Sequence, residues 1–263
     1  MNKNKIVTTS ISLMMTLLSL SLVACQPKHP DEEQQNTVKT TALSAAQQFY
    51  IESETIKMPG VEALSCEKDG CTQYDIQTVK TNQPWIDQYF EQRLQKANPV
   101  AFQKKANNQP QPKPNERELT QNEATVRFLS QNQHLATFEL WSYVYPAGAA
   151  HGSYHREFVN FDMKTRKRIA LDQLLVAGSQ QKVLNILYDQ NAEWLQSHHI
   201  EKDKLQLSDN FYYGVNGVVF VYPLYELASY AEGMSELTLP YYQAKGVIKP
   251  QFLPSLAKYQ TDK

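Results

Sequence analysis

The chain has 263 residues, of which 41% are apolar, 20% charged and 11% aromatic, and Lys+Arg 26 against Asp+Glu 27 leave a formal charge of −1. This composition is globular and excludes a disordered polymer, a collagen-like fibre and a polytopic membrane protein. A charge so near zero also argues against broad nucleic-acid binding, which needs a basic surplus or a basic face.

In chain order, Lys3 and Lys5 form a basic head before an apolar stretch from Ile6 to Val23, which ends in Leu22-Val23-Ala24-Cys25. A basic head, an apolar centre and a small-residue cleavage site predict a secretory signal over residues 1–24. The cysteine directly after that site makes the segment resemble the lipobox of bacterial lipoproteins, whose thiol is acylated and becomes residue one. The resemblance implies lipidation of Cys25 and anchorage in the cell envelope. In a Gram-negative host, Gln26 in place of Asp implies the outer membrane, with the protein facing the periplasm. Residues 25–41 hold almost no apolar side chain and read as a solvated tether.

Cys66 and Cys71 are the two remaining cysteines. Export to an oxidising compartment and the turn-forming Lys68-Asp69-Gly70 between them predict a disulfide; a metal site is the alternative, short of ligands. Phe49-Tyr50-Ile51 and Thr55 to Met58 read as strand pieces. Thr72 to Val79 alternates as a half-buried strand does. A helix follows, with Asn82 as its expected cap, Pro84 in its first turn, and Trp85, Ile86, Tyr89, Phe90, Leu94 and Ala97 on one face. Asn107 to Asn115 is rich in Pro, Asn and Gln and marks the expected internal boundary.

Beyond it, strands are expected at Ala124–Leu129, His134–Tyr145 and Arg156–Asp162. A helix is expected from near Ser179, then strands at Phe211–Tyr213, Val218–Tyr222 and Leu237–Pro240. This order predicts an α+β fold, antiparallel sheets with one or two packed helices, in two subdomains spanning 42–115 and 116–263.

Three phrases carry a second resemblance: Gly148-Ala149-Ala150-His151-Gly152, Phe158 to Thr165, and Tyr222-Pro223-Leu224-Tyr225-Glu226-Leu227-Ala228-Ser229-Tyr230-Ala231-Glu232-Gly233. In this order they resemble the extracellular domain of RsiV-type anti-sigma factors, over roughly 124–243. That resemblance implies a non-catalytic binding domain, and lysozyme as the kind of partner. The cytoplasmic sigma-binding segment and spanning helix of those factors have no counterpart here, so signalling is not implied. Their pattern puts Gly after Lys164-Thr165, where this chain has Arg166; a left-handed backbone there costs about 1 kcal/mol relative to Gly.

The residues themselves add a local bias. From Leu205 to Ala244 there is no Lys or Arg, against Asp209, Glu226, Glu232 and Glu236, and seven of the fifteen tyrosines fall there. Tyr222, Pro223, Tyr225, Glu226, Tyr230 and Glu232, with His151, are the candidate partner-binding residues. Tyrosine gives large contact area at low entropic cost, and unpaired carboxylates attract a cationic partner. The alternative is that most of these tyrosines belong to the core and that Glu226 only fixes a turn. His151 reads as a ring bonded to a tight turn or as a ligand contact. His151 and His155 lack the Glu and the helical face of a zincin pair. Lys164, Arg166, Lys167 and Arg168 read as a solvated turn or a contact to anionic lipid or glycan. No catalytic residue, metal site or cofactor is predicted. Three functions follow: a lipoprotein binding a lysozyme-like muramidase as inhibitor or decoy, a peptidoglycan or other glycan-binding envelope module, and, with least support, a hydrolase using carboxylates or His151.

Overall fold

The computed structural model describes residues 49–68, 70–103, 115 and 118–255, all within one compact unit, Ser44–Lys263. The expected signal, Cys25, the tether and most of the proline-rich segment lie outside the described residues. Among those described, no helix is long and apolar enough to cross a membrane.

The fold is α+β, with antiparallel pairing dominant. Strands β1 (Ser53–Lys57), β2 (Leu64–Glu67) and β3 (Gly70–Thr81) lead into helix α1 (Pro84–Ala97). Strands β4 (Leu119–Asn132), β5 (Leu135–Tyr145), β6 (Ser153–Asp162) and β7 (Lys167–Arg168) follow. They form a sheet of order β1-β3-β4-β5-β6-β7, with β2 paired to β3. The expected disulfide joins Cys66 to Cys71, which are register partners in the β2–β3 hairpin.

One pair departs from the antiparallel expectation: β3 and β4 run parallel, Ile76 opposite Ala124. A parallel pair needs a long crossover, and α1 lies in it. This pair carries the sheet past the proline-rich segment, so both regions expected from sequence share one sheet.

Helix α1 buries Ile86, Phe90 and Leu94, spaced by four, against Val126, Phe138, Val159 and Phe161. The Phe90 ring lies 5.3 Å from Phe138 and 6.0 Å from Phe161. Ala97, expected on this face, is exposed. The cap also differs: Gln83 precedes the helix without a side-chain bond, while Asn82 ties back to the Tyr50 carbonyl and the Glu52 amide. The first-turn acid Asp87 instead accepts from the Thr81 amide (2.8 Å) and hydroxyl (2.6 Å) and pairs with Lys80. Phe49 to Ile51 is not strand.

The chain then forms α2 (Leu171–Leu174), α3 (Gln180–Gln190), α4 (Ala192–Ser197) and a second antiparallel sheet of β8 (Phe211–Tyr213), β9 (Gly217–Tyr222) and β10 (Ser235–Pro240), with β9 central. Every residue of β9 is buried, because both of its faces are covered. Val219 and Val221 meet Phe158 of the large sheet, while Val218, Phe220 and Tyr222 point into the core that holds Val183 and Leu187 of α3. The layers therefore run α1, large sheet, small sheet, α3.

Polar links fasten the two sheets. Asn210 bonds the open edge of β6, accepting from the Phe158 amide (2.8 Å) and donating to the Arg156 carbonyl (2.7 Å). Asn160 donates to the Phe211 carbonyl at 2.6 Å. Glu139, fully buried, takes Arg127 and Arg156 at 2.6 Å each, and Arg156 reaches on to Glu236 at 3.2 Å.

Candidate functional site

The segment between β9 and β10 carries most of the sequence-predicted site. The Glu226 amide donates to the Pro223 carbonyl at 3.2 Å, which closes a turn. Tyr225 in that turn has φ 68°, a left-handed backbone that is costly for a bulky side chain. Its ring is 62% exposed and stacks on Tyr230, with centroids 5.7 Å apart and planes 28° apart. Tyr230 in turn lies 4.6 Å from the His151 ring. Tyr225, Tyr230 and His151 thus form a row of three rings across two segments distant in sequence.

Several contacts hold this row in place. Leu227 ties the loop to the core that holds Leu187 and Tyr222. The Tyr230 hydroxyl donates to the Gly152 carbonyl at 2.9 Å, and His151 Nδ1 lies 3.0 Å from the same oxygen. The Tyr143 ring packs against Gly152 so closely that an added Cβ would force that ring to move. Tyr154 accepts from the Met234 amide at 3.3 Å. Glu232 accepts from the Ser229 hydroxyl at 2.9 Å and meets His198 Nε2 at 2.6 Å.

The His198 pair is electrostatically consistent. Its hydrogen bond to the Trp194 carbonyl, and then that to Glu232, raise the His198 pKa above its ordinary 6.5. The His198 bond, followed by the Ser229 hydroxyl, lowers Glu232 below its ordinary 4.5. Glu226 is different. It has no ion pair among the described residues, and burial raises its pKa. It lines a cleft of about 660 Å³ shared with Arg93, His155, Glu157, Arg168 and Asp209.

The expected tyrosine-rich acidic face is therefore much reduced. Tyr222 is corrected outright: it is 0% exposed and donates to the Gln206 carbonyl at 2.9 Å, because its place in β9 points it toward α3. Tyr212 is half-buried and bonds Glu236; burial first, then that carboxylate, pushes its phenol up to about 12. Tyr241 donates to the Gly214 carbonyl, and burial raises it to about 12 as well. Tyr213 is largely buried, whereas Tyr242 is 76% exposed. Glu232 and Glu236 are held by His198 and Arg156, which leaves Glu226 and the exposed Asp209 as acids without an ion pair among the described residues. Pro223 is exposed beside them. No cluster of three or more His, Cys, Asp or Glu able to hold a metal occurs among the described residues. His151 sits just before β6 and His155 within it, so the two share no helix.

A second aromatic feature lies on the large sheet. Trp141 and Tyr143 of β5 stack with centroids 6.0 Å apart and planes 8° apart. Both are partly exposed, on the face where Tyr143 stands opposite Tyr154.

Residues 165–242 match the family model described as "Protein of unknown function (DUF3298)". The span contains the whole ring-bearing loop but not His151. Two solved structures share the fold. One is a DUF3298 family protein from Pseudomonas aeruginosa PAO1, with TM-score 0.56 and 22% identity over 81% of this chain and 100% of its own. The other is a DUF3298 family member from Bacteroides fragilis NCTC 9343, with TM-score 0.56 and 15% identity over 77% of this chain and 95% of its own. At these identities the likeness concerns the fold alone. No curated protein matches the chain.

Sequence reasoning places Tyr225, Tyr230, Glu226 and His151 in the site, and the structure brings the first two and His151 together. It misses the residues that support them, Tyr143, Gly152, Tyr154 and His198. Only Gly152 carries a local signal, a glycine beside a histidine; the others meet the loop from distant elements.

Proposed function

We propose that this chain is a non-enzymatic lipoprotein of the cell envelope, anchored through acyl chains on Cys25, whose folded unit binds a lysozyme-like muramidase through the Tyr225 loop. The observation that carries the reading is an exposed aromatic ring held in a left-handed turn and backed by Tyr230 and His151. A ring fixed before the encounter loses little entropy on binding. Glu226 and the exposed Asp209, which form no ion pair among the described residues but share their cleft with Arg93 and Arg168, add a smaller attraction for a cationic protein than the sequence alone suggests. The lipobox at Leu22–Cys25 supports the compartment, and the RsiV-like phrases support the kind of partner.

The test uses the 44–263 fragment, which contains every described element and core. Titrated with c-type lysozyme in a calorimeter, it is expected to bind and to lower residual muramidase activity. Tyr225→Ala is expected to weaken binding by about thirtyfold, the scale of an aromatic hot spot. No heat at tens of micromolar removes this partner. A second reading, a glycan-binding envelope module, is favoured by the stacked Trp141 and Tyr143, whose faces suit sugar rings. Sedimentation with purified sacculi that Trp141→Ala leaves unchanged counts against it.

A further inference from the structure

The turn joining β6 to β7 and the strand after it carry an excess of positive charge around one cavity. This cavity, about 490 Å³, shares no residue with the aromatic loop. It is lined by Lys164, Lys167, Arg168 and Lys249 together with the apolar Ile169 and Phe252. The carboxylate in its wall, Asp162, is buried and committed to the turn: one oxygen accepts from the Lys164 amide at 3.0 Å, the other from the Thr165 hydroxyl at 2.9 Å.

The cations are otherwise poorly matched. Among the described residues, Lys164, Arg166, Lys167 and Lys249 form no ion pair. Arg168 reaches Glu157 only at 3.6 Å, and its Nε has no acceptor. Lys249 is fixed by donating to the Gln173 carbonyl at 2.8 Å, a bond that positions its charge without neutralising it. Lys164, Arg166 and Lys167 are exposed, and Arg166 stands at φ 54°, where glycine would be unstrained. A solvated turn needs neither a cavity nor a strained arginine at its tip. Like charges lining one cavity repel, and a bound anion relieves that repulsion.

We infer that this cavity binds a phosphate group, with the lysines as point-charge donors, and that its apolar wall receives the carbon chain next to the phosphate of an anionic lipid headgroup. The choice of a lipid rests on the anchor proposed at Cys25: a patch held near the membrane by that anchor need not be strong.

The 44–263 fragment, which carries no anchor, gives the test. It is mixed with vesicles of phosphatidylglycerol or of phosphatidylcholine and sedimented, and separately titrated with inorganic pyrophosphate while the Lys164 to Arg168 amides are followed by NMR. Sedimentation with phosphatidylglycerol alone is expected, falling as salt rises. Lys164→Gln with Lys167→Gln is expected to weaken it roughly thirtyfold, about fivefold per lysine. Lys57→Gln with Lys96→Gln, which changes net charge equally elsewhere, is expected to have little effect. Amide shifts with pyrophosphate but no vesicle binding support the phosphate site and assign it a free phosphate compound. Neither vesicle binding nor amide shifts, or equal loss in both double variants at unchanged melting temperature, overturns the inference.

Discussion

Single side chains link the two sheets, and Glu139 of the large sheet holds one of them, the Arg156 that reaches Glu236. The Glu139 carboxylate is fully buried on the large sheet with a guanidinium on either side, Arg127 and Arg156 at 2.6 Å each. Such a group is tolerated only because both oxygens are met by charge-assisted bonds. Glu139→Gln keeps the volume but withdraws the anion, and Arg156 is then left with Glu236 alone at 3.2 Å. Arg127 is more than half exposed and can turn to water, which lowers the cost. A loss of about 3 kcal/mol is expected, at the low end for breaking a buried pair. Urea unfolding of the 44–263 fragment measures it; an unchanged midpoint shows that the carboxylate adds nothing to stability. At this scale Tyr222 is the instructive case. Its identity suggests a contact residue, but counting by two from Val218 and Phe220 turns it toward the same core, so its burial is legible once the strand is recognised.

At the scale of an element, the loop from Pro223 to Gly233 is shaped by groups outside it. His198 lies at the end of α4, where one ring nitrogen faces the Trp194 carbonyl and the other the Glu232 carboxylate. A doubly protonated ring satisfies both acceptors. Because the folded state raises the His198 pKa, its contribution is complete below the ordinary value of 6.5 and is lost as pH rises through the higher folded value. Because Glu232 is lowered, its contribution is present above 4.5 and is lost as pH falls through the lower folded value. The loop is therefore pinned best between those two ordinary values. As pH rises through the raised His198 value, the protection of the Tyr230 to Gly233 amides, taken relative to their intrinsic exchange rate at each pH, is expected to fall while that of β9 does not, and His198→Gln is expected to remove that fall. Protection factors at Tyr230 to Gly233 that stay constant from about pH 5 to 8 in the parent protein contradict the pairing. The place of His198-His199 at a helix end, where a ring proton meets the negative end of the dipole, is legible from sequence; the pairing of His198 with Glu232 is not, because the two are 34 residues apart and neither has a local pattern that names the other.

For the whole molecule, local pattern reads well and pairing does not. The strand at Phe211–Tyr213, the helix after Ser179 and the disulfide hairpin are each written in contiguous residues, by alternation, by period and by two cysteines flanking a turn. The parallel pairing of β3 with β4 is not, since nothing in either strand names the other across α1. That pairing puts the regions before and after the proline-rich segment into one sheet and one core: Phe90 of α1 packs on Phe138 and Phe161. We propose that residues 42–115 and 116–263 fold as one cooperative body. Produced alone, 116–263 would expose the buried face of Val126, Phe138, Val159 and Phe161 and the edge of β4, a combination that favours aggregation. It is expected to precipitate or to bind a hydrophobic dye, and to regain a sharp thermal transition when co-expressed with 42–115. A soluble 116–263 fragment with its own cooperative transition would mean that the small sheet and α3 carry the fold without α1.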